Sequence, residues 1–216
     1  MTTTPSGVSA RASRGAAPLI VVMARAPVPG RVKSRLAQSI GAERACTVYV
    51  ALLERTVAVA MSVGVEVTLA VTPDASHPVF RRLRRRWPTL RFHRQGRGDL
   101  GRRMLRVFRR DNDRAVLLLG SDCPIFTVHG LRAALAAIDT ERLVFIPARD
   151  GGYVGLGGVR VPGNVFHGPR WGSARVLAPS LSRLGSAGKA YRLMPTLWDV
   201  DERVDWRRWR RLRRGA

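Results

Sequence analysis

A short basic segment near the start of the chain combines the residue types that bind phosphate. Residues 24–36 follow an apolar run and contain Gly30, two prolines and the cations Arg25, Lys33 and Arg35. Backbone N–H groups in a stiffened loop, together with several cations, supply what a diphosphate or triphosphate needs. The spacing of glycine and lysine excludes a Walker A loop. The alternative to phosphate binding is an ordinary basic surface loop.

The lysine in this segment is informative because the chain uses arginine almost everywhere else. Of the 38 basic residues, Lys33 and Lys189 are the two lysines. An ammonium group is a compact point charge, whereas a guanidinium group is a planar fork, so a tight phosphate contact can require lysine. We therefore interpret Lys33 as a phosphate ligand.

An aspartate follows the most strand-like run of the sequence. Asp122 lies in the segment G-S-D-C-P at 120–124, where the proline cannot continue a central strand. Mg²⁺ is usually held by one or two carboxylates together with substrate phosphates, so Asp122 is a candidate ligand for Mg²⁺ or Mn²⁺. The alternative role is a helix N-cap, but Thr127 is better placed to cap the helix that begins near Val128.

Further acidic residues occur at predicted turns and helix starts. The segment D-G-G-Y at 150–153 lets a ligand approach the backbone beside a carboxylate, and a glycine-rich turn is an equal alternative. Asp99 opens a helix between glycines and is a natural N-cap. Asp199 and Asp201 precede the last helix, where they are candidates for a second metal ligand or for another cap.

Strands and helices alternate along the predicted chain. Strands are expected at 19–24, 65–72, 90–93, 115–119, 143–148 and 191–194, and helices at 41–61, 76–87, 99–110, 128–138, 173–184 and 202–213. The strands are continuous apolar runs, which indicates a mostly parallel sheet with helices on both faces. Right-handed crossovers place the loops that follow the strands at one edge of the sheet, where such folds bind ligands. The segments 24–36, 120–124 and 150–153 fall at that edge.

The helical periodicity also predicts which side chains face the core. In the helix at 99–110 the inward residues are Leu100, Met104, Val107 and Phe108. In the last helix Trp206, Trp209 and Leu212 recur every three residues, which is typical of an apolar face that packs on a core.

The composition is that of a folded domain with a large positive charge. The 216 residues are 45% hydrophobic and 25% charged, and the net charge is +23. This charge favours a nucleic-acid-binding protein as one alternative. However, the arginines are spread along the chain, no aromatic platform is interleaved with them, and no RNA-binding motif is recognised.

The sequence also predicts a cytoplasmic protein without membrane spans. Its apolar runs are far shorter than the roughly 20 residues that a spanning helix needs. Residues 1–17 are rich in Ser, Thr, Ala, Gly and Arg and are interpreted as a disordered tail, with an organelle transit peptide as the alternative. Residues 18–216 are expected to form a single domain. Cys46 and Cys123 are distant in sequence and lack a histidine cluster, which favours a reducing compartment over a disulfide or zinc site.

These motifs, in this order, resemble the bacterial selenodomain-associated transferases of the GT-A, or nucleotide-diphospho-sugar transferase, superfamily. The resemblance covers about residues 19–210 and rests on V-M-A-R-A-P-V-P-G-R-V-K-S-R-L at 22–36, G-D-L-G-R-R-M at 98–104, L-L-G-S-D-C-P at 118–124, D-G-G-Y at 150–153, W-G-S-x-x-V-L at 171–177 and D-V-D at 199–201. It implies a Rossmann-like GT-A three-layer sandwich and a nucleotide held by the first loop. It also implies Mg²⁺ or Mn²⁺ at Asp122, with Asp201 as the second ligand and Asp199 as the alternative.

The resemblance extends to the residues around these ligands, and it places Asp99 near the nucleoside. The residues expected to bind the nucleotide are Ala24, Arg25, Gly30, Lys33, Arg35, Asp99, Ser121, Gly151 and Gly152. The residues expected to be catalytic are Lys33, Asp122 and Asp150, the last as a candidate general base.

Three positions depart from the family pattern. Arg149 stands where an acidic residue is usual, residues 154–158 read V-G-L-G-G in place of a longer apolar run, and residues 171–173 read W-G-S in place of W-S-T. All three departures concern the acceptor side of the expected site. The resemblance therefore implies the nucleotide site more firmly than the acceptor site.

The expected function is a metal-dependent transferase that uses a nucleotide or nucleotide-sugar donor. Glycosyl transfer is favoured over nucleotidyl transfer, in which a nucleoside triphosphate releases pyrophosphate. A nucleic-acid-binding protein and a non-catalytic nucleotide sensor are the alternatives. A membrane or a specific nucleic acid is not expected as a partner, and the acceptor is either a small molecule or a phosphorylated compound that the sequence does not identify.

Overall fold

Seven strands form one sheet in the computed structural model, which describes residues 16–167, 171 and 176–214. The strands are β1 (Ala16–Arg25), β2 (Glu66–Thr72), β3 (Arg91–Arg94), β4 (Arg114–Leu119), β5 (Arg142–Pro147), β6 (Tyr153–Gly158) and β7 (Ala190–Leu193). Their order across the sheet is β3-β2-β1-β4-β6-β5-β7. The pairs are parallel except where β6 runs antiparallel to β4 and β5. The mostly parallel sheet expected from the apolar runs is confirmed.

Helices cover both faces of this sheet. They are α1 (Ser34–Ile40), α2 (Ala42–Met61), α3 (Pro78–Arg86), α4 (Leu100–Arg110), α5 (Val128–Ala136), α6 (Leu177–Ser186) and α7 (Arg203–Arg214), with a 3-10 turn at Gly163–Phe166. Side chains of β1 alternate between the faces, so Ile20 and Val22 pack in the cluster that contains α2, and Leu19 and Val21 in the cluster that contains α4. All four are at most 1% exposed, which explains why β1 is a continuous apolar run. The helices on both faces of the sheet confirm the expected three-layer α/β sandwich.

Two elements are absent from the sequence prediction. Residues 34–40, interpreted from the sequence as loop, form α1, and Lys33 before it has left-handed backbone angles (φ 49°, ψ 49°). The second element is β6. The sequence pattern predicts a helix between successive strands, whereas β6 follows β5 directly through a hairpin. Its turn is closed by the Gly151 N–H, which donates to the Ala148 carbonyl at 3.1 Å.

Two boundaries also differ from the prediction. β1 begins at Ala16, inside the segment assigned to a disordered tail, and residues 1–15 lie outside the described residues. The helix expected at 173–184 is described from Leu177 onward as α6, and positions 173–175 are likewise outside the described residues. Within the described ranges, no helix has the length and apolar character needed to cross a membrane.

The glycines of β6 account for the departure of residues 154–158 from the family pattern. A Cβ at Gly157 would lie 2.5 Å from Ile138 Cδ1, and a Cβ at Gly155 would lie 2.7 Å from Ile146 Cδ1. The space that larger residues would fill in this strand is therefore occupied by isoleucines from neighbouring elements. The core stays closed although three of the six residues of β6 are glycines.

Two leucines predicted to face the core are exposed. Leu212, at the end of α7, is 50% exposed, whereas Trp209 of the same helix is buried and Trp206 packs partly against the core. Leu100, at the start of α4, is 43% exposed, while Met104, Val107 and Phe108 are buried as expected. Both leucines lie in a terminal turn of their helix, where the apolar stripe extends past the neighbouring elements.

Candidate active site

Three segments meet at the carboxyl ends of β1 and β4. Residues 24–36 follow β1, residues 120–124 follow β4, and residues 197–201 lie alongside the end of β5. The last segment is held by a parallel bridge between Ala148 and Leu197 and by the Val200 N–H, which donates to the Asp122 carbonyl at 3.1 Å. The backbone thus brings Lys33, Asp122 and Asp201 together from distant parts of the chain.

The ammonium group of Lys33 lies at the centre of this meeting point. Its Nζ is 2.6 Å from Asp122 Oδ2 and 3.5 Å from Asp201 Oδ1, and the lysine side chain is 5% exposed. Burial alone would lower the pKa of Lys33, but the negative charges of Asp122 and Asp201 outweigh burial and leave the pKa raised. Lys33 is therefore a buried, charged group shared by two carboxylates. Its left-handed backbone is a conformation that non-glycine residues seldom adopt and that is often found at functional sites.

Two further charged groups border the lysine. Arg35 Nη1 donates to Asp201 Oδ2 at 2.9 Å, so Asp201 is contacted by two cations. Burial raises the pKa of Asp199 to about 7, with contributions from the negative charges of Asp122 and Asp150 and an opposing effect of Lys33. A cation bound beside Asp199 would favour the charged form of this carboxyl and lower its pKa again.

The donor set fits a divalent cation that arrives with phosphate ligands. Among the described residues, no group of three acidic, histidine or cysteine side chains is close enough to form a metal site by itself. Mg²⁺, however, is usually held by one or two carboxylates with substrate phosphates completing its shell. Asp122 and Asp201 already face a common cation, the Lys33 ammonium, and Asp199 lies beside them. These residues suit a metal shared with a nucleotide and not an all-protein cage.

Tyr49 of α2 connects the first loop to the segment after β4, a role that sequence reasoning missed. Its hydroxyl accepts from the Arg25 N–H at 2.9 Å, donates to the Arg25 carbonyl at 3.1 Å and lies 3.3 Å from Ser121 Oγ. The side chain is 5% exposed. Since Tyr49 belongs to an ordinary apolar helix pattern, no sequence signal distinguishes it from a core residue.

Gln95 fixes the same edge from the other side. Its Nε2 donates to the carbonyl of Ala24 at 3.0 Å and to that of Ala70 at 2.7 Å, and the residue is 5% exposed. A buried polar side chain must find such partners to offset its desolvation. Gln95 thereby holds the end of β1 in place, where the first loop begins.

Replacing Tyr49 with phenylalanine should destabilise the protein and weaken its ligand site. The change leaves the Arg25 backbone groups and the Ser121 hydroxyl without their partner, and a buried group left unpaired costs about 1–3 kcal/mol. Chemical denaturation measures this loss. Tyr191→Phe is the matched control, because Tyr191 is 44% exposed on β7, away from the site. Equal stability of the two variants would show that Tyr49 does not hold the loop.

Two adjoining cavities open at this edge of the sheet. The first, here called the basic cavity, has a volume of about 590 Å³ and extends from the first loop to Gln95, Asp99 and Arg103. The second, here called the apolar cavity, has a volume of about 330 Å³ and extends from Met104 to Tyr153 and Trp171. Residues that border both include Leu100, Ser121, Asp122 and Asp201.

The predicted nucleotide-binding and catalytic residues divide between these cavities. Ala24, Arg25, Lys33 and Asp99 line the basic cavity, and Asp150 and Gly152 line the apolar cavity. Arg35, Ser121 and Asp122 line both. Gly30 lies within the first loop at φ 76° and Gly151 lies at the hairpin turn, where its carbonyl accepts from the Leu177 N–H at 3.0 Å. Both glycines have positive φ and therefore serve the backbone conformation of their loops.

Several of these acidic residues also perform the local structural roles that the sequence left open. Asp99 Oδ1 accepts from the Arg102 N–H at 2.8 Å and caps α4, and Thr127 caps α5 as expected. Asp150 Oδ1 accepts from the Gly152 N–H at 2.9 Å and shapes the hairpin turn. Asp122 has no such capping bond among the described contacts and instead pairs with Lys33.

Comparison with solved structures places this arrangement in a fold used by transferases. A protein from Desulfovibrio desulfuricans G20 assigned as a nucleotide-diphospho-sugar transferase is 28% identical, with a TM-score of 0.76 over 86% of this chain and 82% of that one. A nucleotidyl transferase from Methanothermobacter is 15% identical, with a TM-score of 0.63 over 94% and 100% of the two chains. The inositol-1-phosphate CTP transferase from T. maritima is 11% identical, with a TM-score of 0.54 over 87% and 90%. The last two likenesses show the fold alone.

A comparison with protein families gives a direct match, whereas no curated protein matches the chain significantly. Residues 55–173, more than half of the chain, match the family described as an uncharacterized protein conserved in bacteria, DUF2064. This range includes the helix start at Asp99, the segment with Asp122 and the D-G-G-Y hairpin. The expectation of a bacterial family with the GT-A-like transferase fold is confirmed, and the chain belongs to the DUF2064 family.

Proposed function

We propose that the protein is a metal-dependent transferase that uses a nucleotide-sugar donor and transfers the sugar. The observation that carries the proposal is the buried Lys33 ammonium between Asp122 and Asp201, at the boundary of the basic cavity. The structural likeness to a protein assigned as a nucleotide-diphospho-sugar transferase supports the same class.

The basic cavity suits the diphosphate of the donor. Arg25, Arg31 and Arg103 line it together with Lys33, so positive charge surrounds the space that phosphate oxygens would occupy. Asp122 and Asp201 would hold the metal ion, which when bound neutralises phosphate charge. Tyr49 and Gln95 keep the loop in position through the Arg25 and Ala24 backbone. Preorganised positive charge of this kind stabilises a departing phosphate group.

The chemistry assigned to the chain is a displacement at the sugar carbon. The acceptor hydroxyl forms a bond to that carbon while the bond to the diphosphate oxygen breaks, and the diphosphate leaves with the electron pair. Asp150 is the candidate base for the hydroxyl proton, because it lines the apolar cavity beside the proposed phosphate site. Its Oδ1 is engaged by the Gly152 N–H, which fixes the orientation of the carboxylate.

Nucleotidyl transfer is the second candidate. Five cations line the basic cavity, Arg25, Arg31, Lys33, Arg35 and Arg103, which is enough charge for a triphosphate. In that reaction the acceptor attacks the α-phosphate and pyrophosphate leaves. Two of the similar folds belong to proteins described as nucleotidyl or CTP transferases, but at 15% and 11% identity they bear on the fold and not on the reaction.

A nucleic-acid-binding protein is less well supported by the placement of the arginines. In α3 and β3, Arg82 pairs with Glu54 at 2.6 Å, and Arg84 stacks over Phe92 at 4.6 Å. In α7, Arg210 stacks over Trp206 at 4.8 Å and Arg213 over Trp209 at 5.1 Å. These guanidinium groups pair with a carboxylate or cover aromatic rings of the same chain, as expected for solvated helix faces.

Product analysis separates the three candidates. The protein is incubated with a panel of nucleoside triphosphates and sugar nucleotides in the presence of Mn²⁺ or Mg²⁺, and nucleoside diphosphate and pyrophosphate are measured. Release of nucleoside diphosphate from a sugar nucleotide is the expected result. Pyrophosphate release from a triphosphate would reverse the assignment to nucleotidyl transfer. RNA binding that survives high salt, with no nucleotide binding, would overturn the enzyme proposal, because arginine–phosphate contacts weaken as salt rises.

A further inference from the structure

The two cavities of the candidate site differ sharply in charge. The basic cavity is lined by five cations and by the carboxylates of Asp99, Asp122 and Asp201. The described residues that line the apolar cavity include one cation, Arg35, and four carboxylates: Asp122, Asp150, Asp199 and Asp201. In a chain of net charge +23, this excess of carboxylates among the described lining residues is a local departure from the overall charge.

The remaining lining of the second cavity is apolar and aromatic. Met23, Leu100, Met104 and Leu118 form part of it, and the rings of Tyr153 and Trp171 meet edge to face at 6.5 Å and 89°. The indole of Trp171 packs against the start of α4, where a Cβ at Gly101 would lie 2.6 Å from Trp171 Cζ2. The absence of a side chain at Gly101 therefore permits the position of the tryptophan, which forms one wall of the cavity.

We propose that this cavity receives the acceptor, and that the acceptor carries no phosphate and presents an apolar or aromatic group beside its reactive hydroxyl. The inference rests on the proposed transferase function and specifies its second substrate. A phosphorylated acceptor would place anionic oxygens among four carboxylates, and like charges brought together oppose binding. Even when a metal ion offsets Asp122 and Asp201, the carboxylate of Asp150 remains in the lining. The exposed Leu100 at the boundary of the two cavities is positioned to cover the apolar part of such a compound.

A pair of probes with the same sugar and different substituents tests this inference. Phenyl β-glucoside is uncharged and aromatic, whereas glucose 1-phosphate is anionic, and each is titrated calorimetrically in the presence of a saturating nucleotide and Mn²⁺, so that the basic cavity is filled. We expect phenyl β-glucoside to bind at least about tenfold more tightly. Tighter binding of glucose 1-phosphate would overturn the inference and leave the nucleotide-dependent function standing.

Variants locate the binding. Trp171→Ala should weaken phenyl β-glucoside binding by about tenfold through loss of the aromatic wall. Arg31→Ala, which changes a residue of the basic cavity alone, should weaken nucleotide binding and leave the glucoside unaffected. Circular dichroism checks that both variants are folded, and the probe comparison in the native protein does not depend on either of them.

The design also separates failure of this inference from failure of the proposed function. Both probes are titrated without nucleotide as well, so the apolar cavity is tested even if no nucleotide binds. Absence of nucleotide binding would contradict the transferase proposal. Glucoside binding that is unchanged in a folded Trp171→Ala variant, or no glucoside binding at all, would contradict the assignment of the cavity.

Discussion

Replacing Asp122 with asparagine should abolish the part of nucleotide binding that depends on a divalent cation. In the native protein, a nucleotide at 100 times its Kd should raise the free energy of unfolding by about 2.7 kcal/mol when Mg²⁺ or Mn²⁺ is present. Asparagine has nearly the same shape as aspartate and keeps an oxygen acceptor for Lys33 Nζ, so the fold should be preserved. It lacks the negative charge that a hard cation requires. Thermal denaturation with and without metal and nucleotide measures the difference.

Asp111→Asn is the matched control for this experiment. Asp111 follows the last residue of α4, at the opposite end of that helix from Asp99, and lines a different cavity from Asp122. The control variant should retain the full metal-dependent increase in Tm. An equal metal-dependent increase in the Tm of the Asp122→Asn variant would show that Asp122 is not part of the metal site.

Replacing Lys33 with alanine should produce two opposite changes in affinity. Nucleotide binding should weaken by about 1.5–3 kcal/mol, the range for a charge-assisted hydrogen bond, because the phosphate loses its buried cation. Binding of Mn²⁺ without nucleotide should strengthen by about tenfold or more, because the ammonium no longer occupies the position between Asp122 and Asp201. Calorimetric titration measures both affinities in the same variant. The protein should remain folded, since the two carboxylates are 29% and 36% exposed and can be hydrated.

Lys189 provides the control, as the other lysine of the chain. Its Nζ donates to the Thr140 carbonyl at 3.0 Å and lies 3.5 Å from Glu141, and Lys189 lines neither cavity. Lys189→Ala should leave both affinities unchanged. Lys33→Arg should recover part of the nucleotide binding, because a planar guanidinium fits a point-charge position poorly. Full nucleotide binding in both Lys33 variants would show that the lysine is not part of the site.

The sequence predicted the sheet well because strands buried on both faces leave an unmistakable pattern. β1 and β4 are continuous apolar runs, and the segments that follow them carry charges that have no place in a core. Their convergence followed from the rule that parallel strands end at the same edge. Asp122 and Asp201, which the family resemblance implies as metal ligands, both contact Lys33 in the structure, and their role in metal binding stays a prediction.

The remaining features depend on contacts that no local pattern encodes. The sequence predicts Lys33 as a phosphate ligand. It does not predict the salt bridge from Lys33 to Asp122, because the two residues are 89 positions apart in the sequence. In the sequence, Tyr49 has the pattern of an ordinary helix residue and Gln95 that of an ordinary loop residue. Their roles depend on hydrogen bonds to Arg25, Ala24 and Ala70, which are distant in sequence. Leu100 satisfies the periodicity of α4 but lies beyond the edge of the sheet, where it borders both cavities and is not covered by the core.

The salt bridge from Lys33 to Asp122 makes the two ligands of the proposed site thermodynamically dependent on each other. A metal ion that binds alone would be repelled by the buried ammonium of Lys33. A nucleotide that binds alone would place its phosphates next to the carboxylates of Asp122 and Asp201, which repel them. When both are bound, Lys33 would pair with phosphate and Asp122 and Asp201 would hold the metal ion, so that each charge would keep a partner. Binding should therefore be cooperative. By linkage, the factor by which the metal raises nucleotide affinity equals the factor by which the nucleotide raises metal affinity.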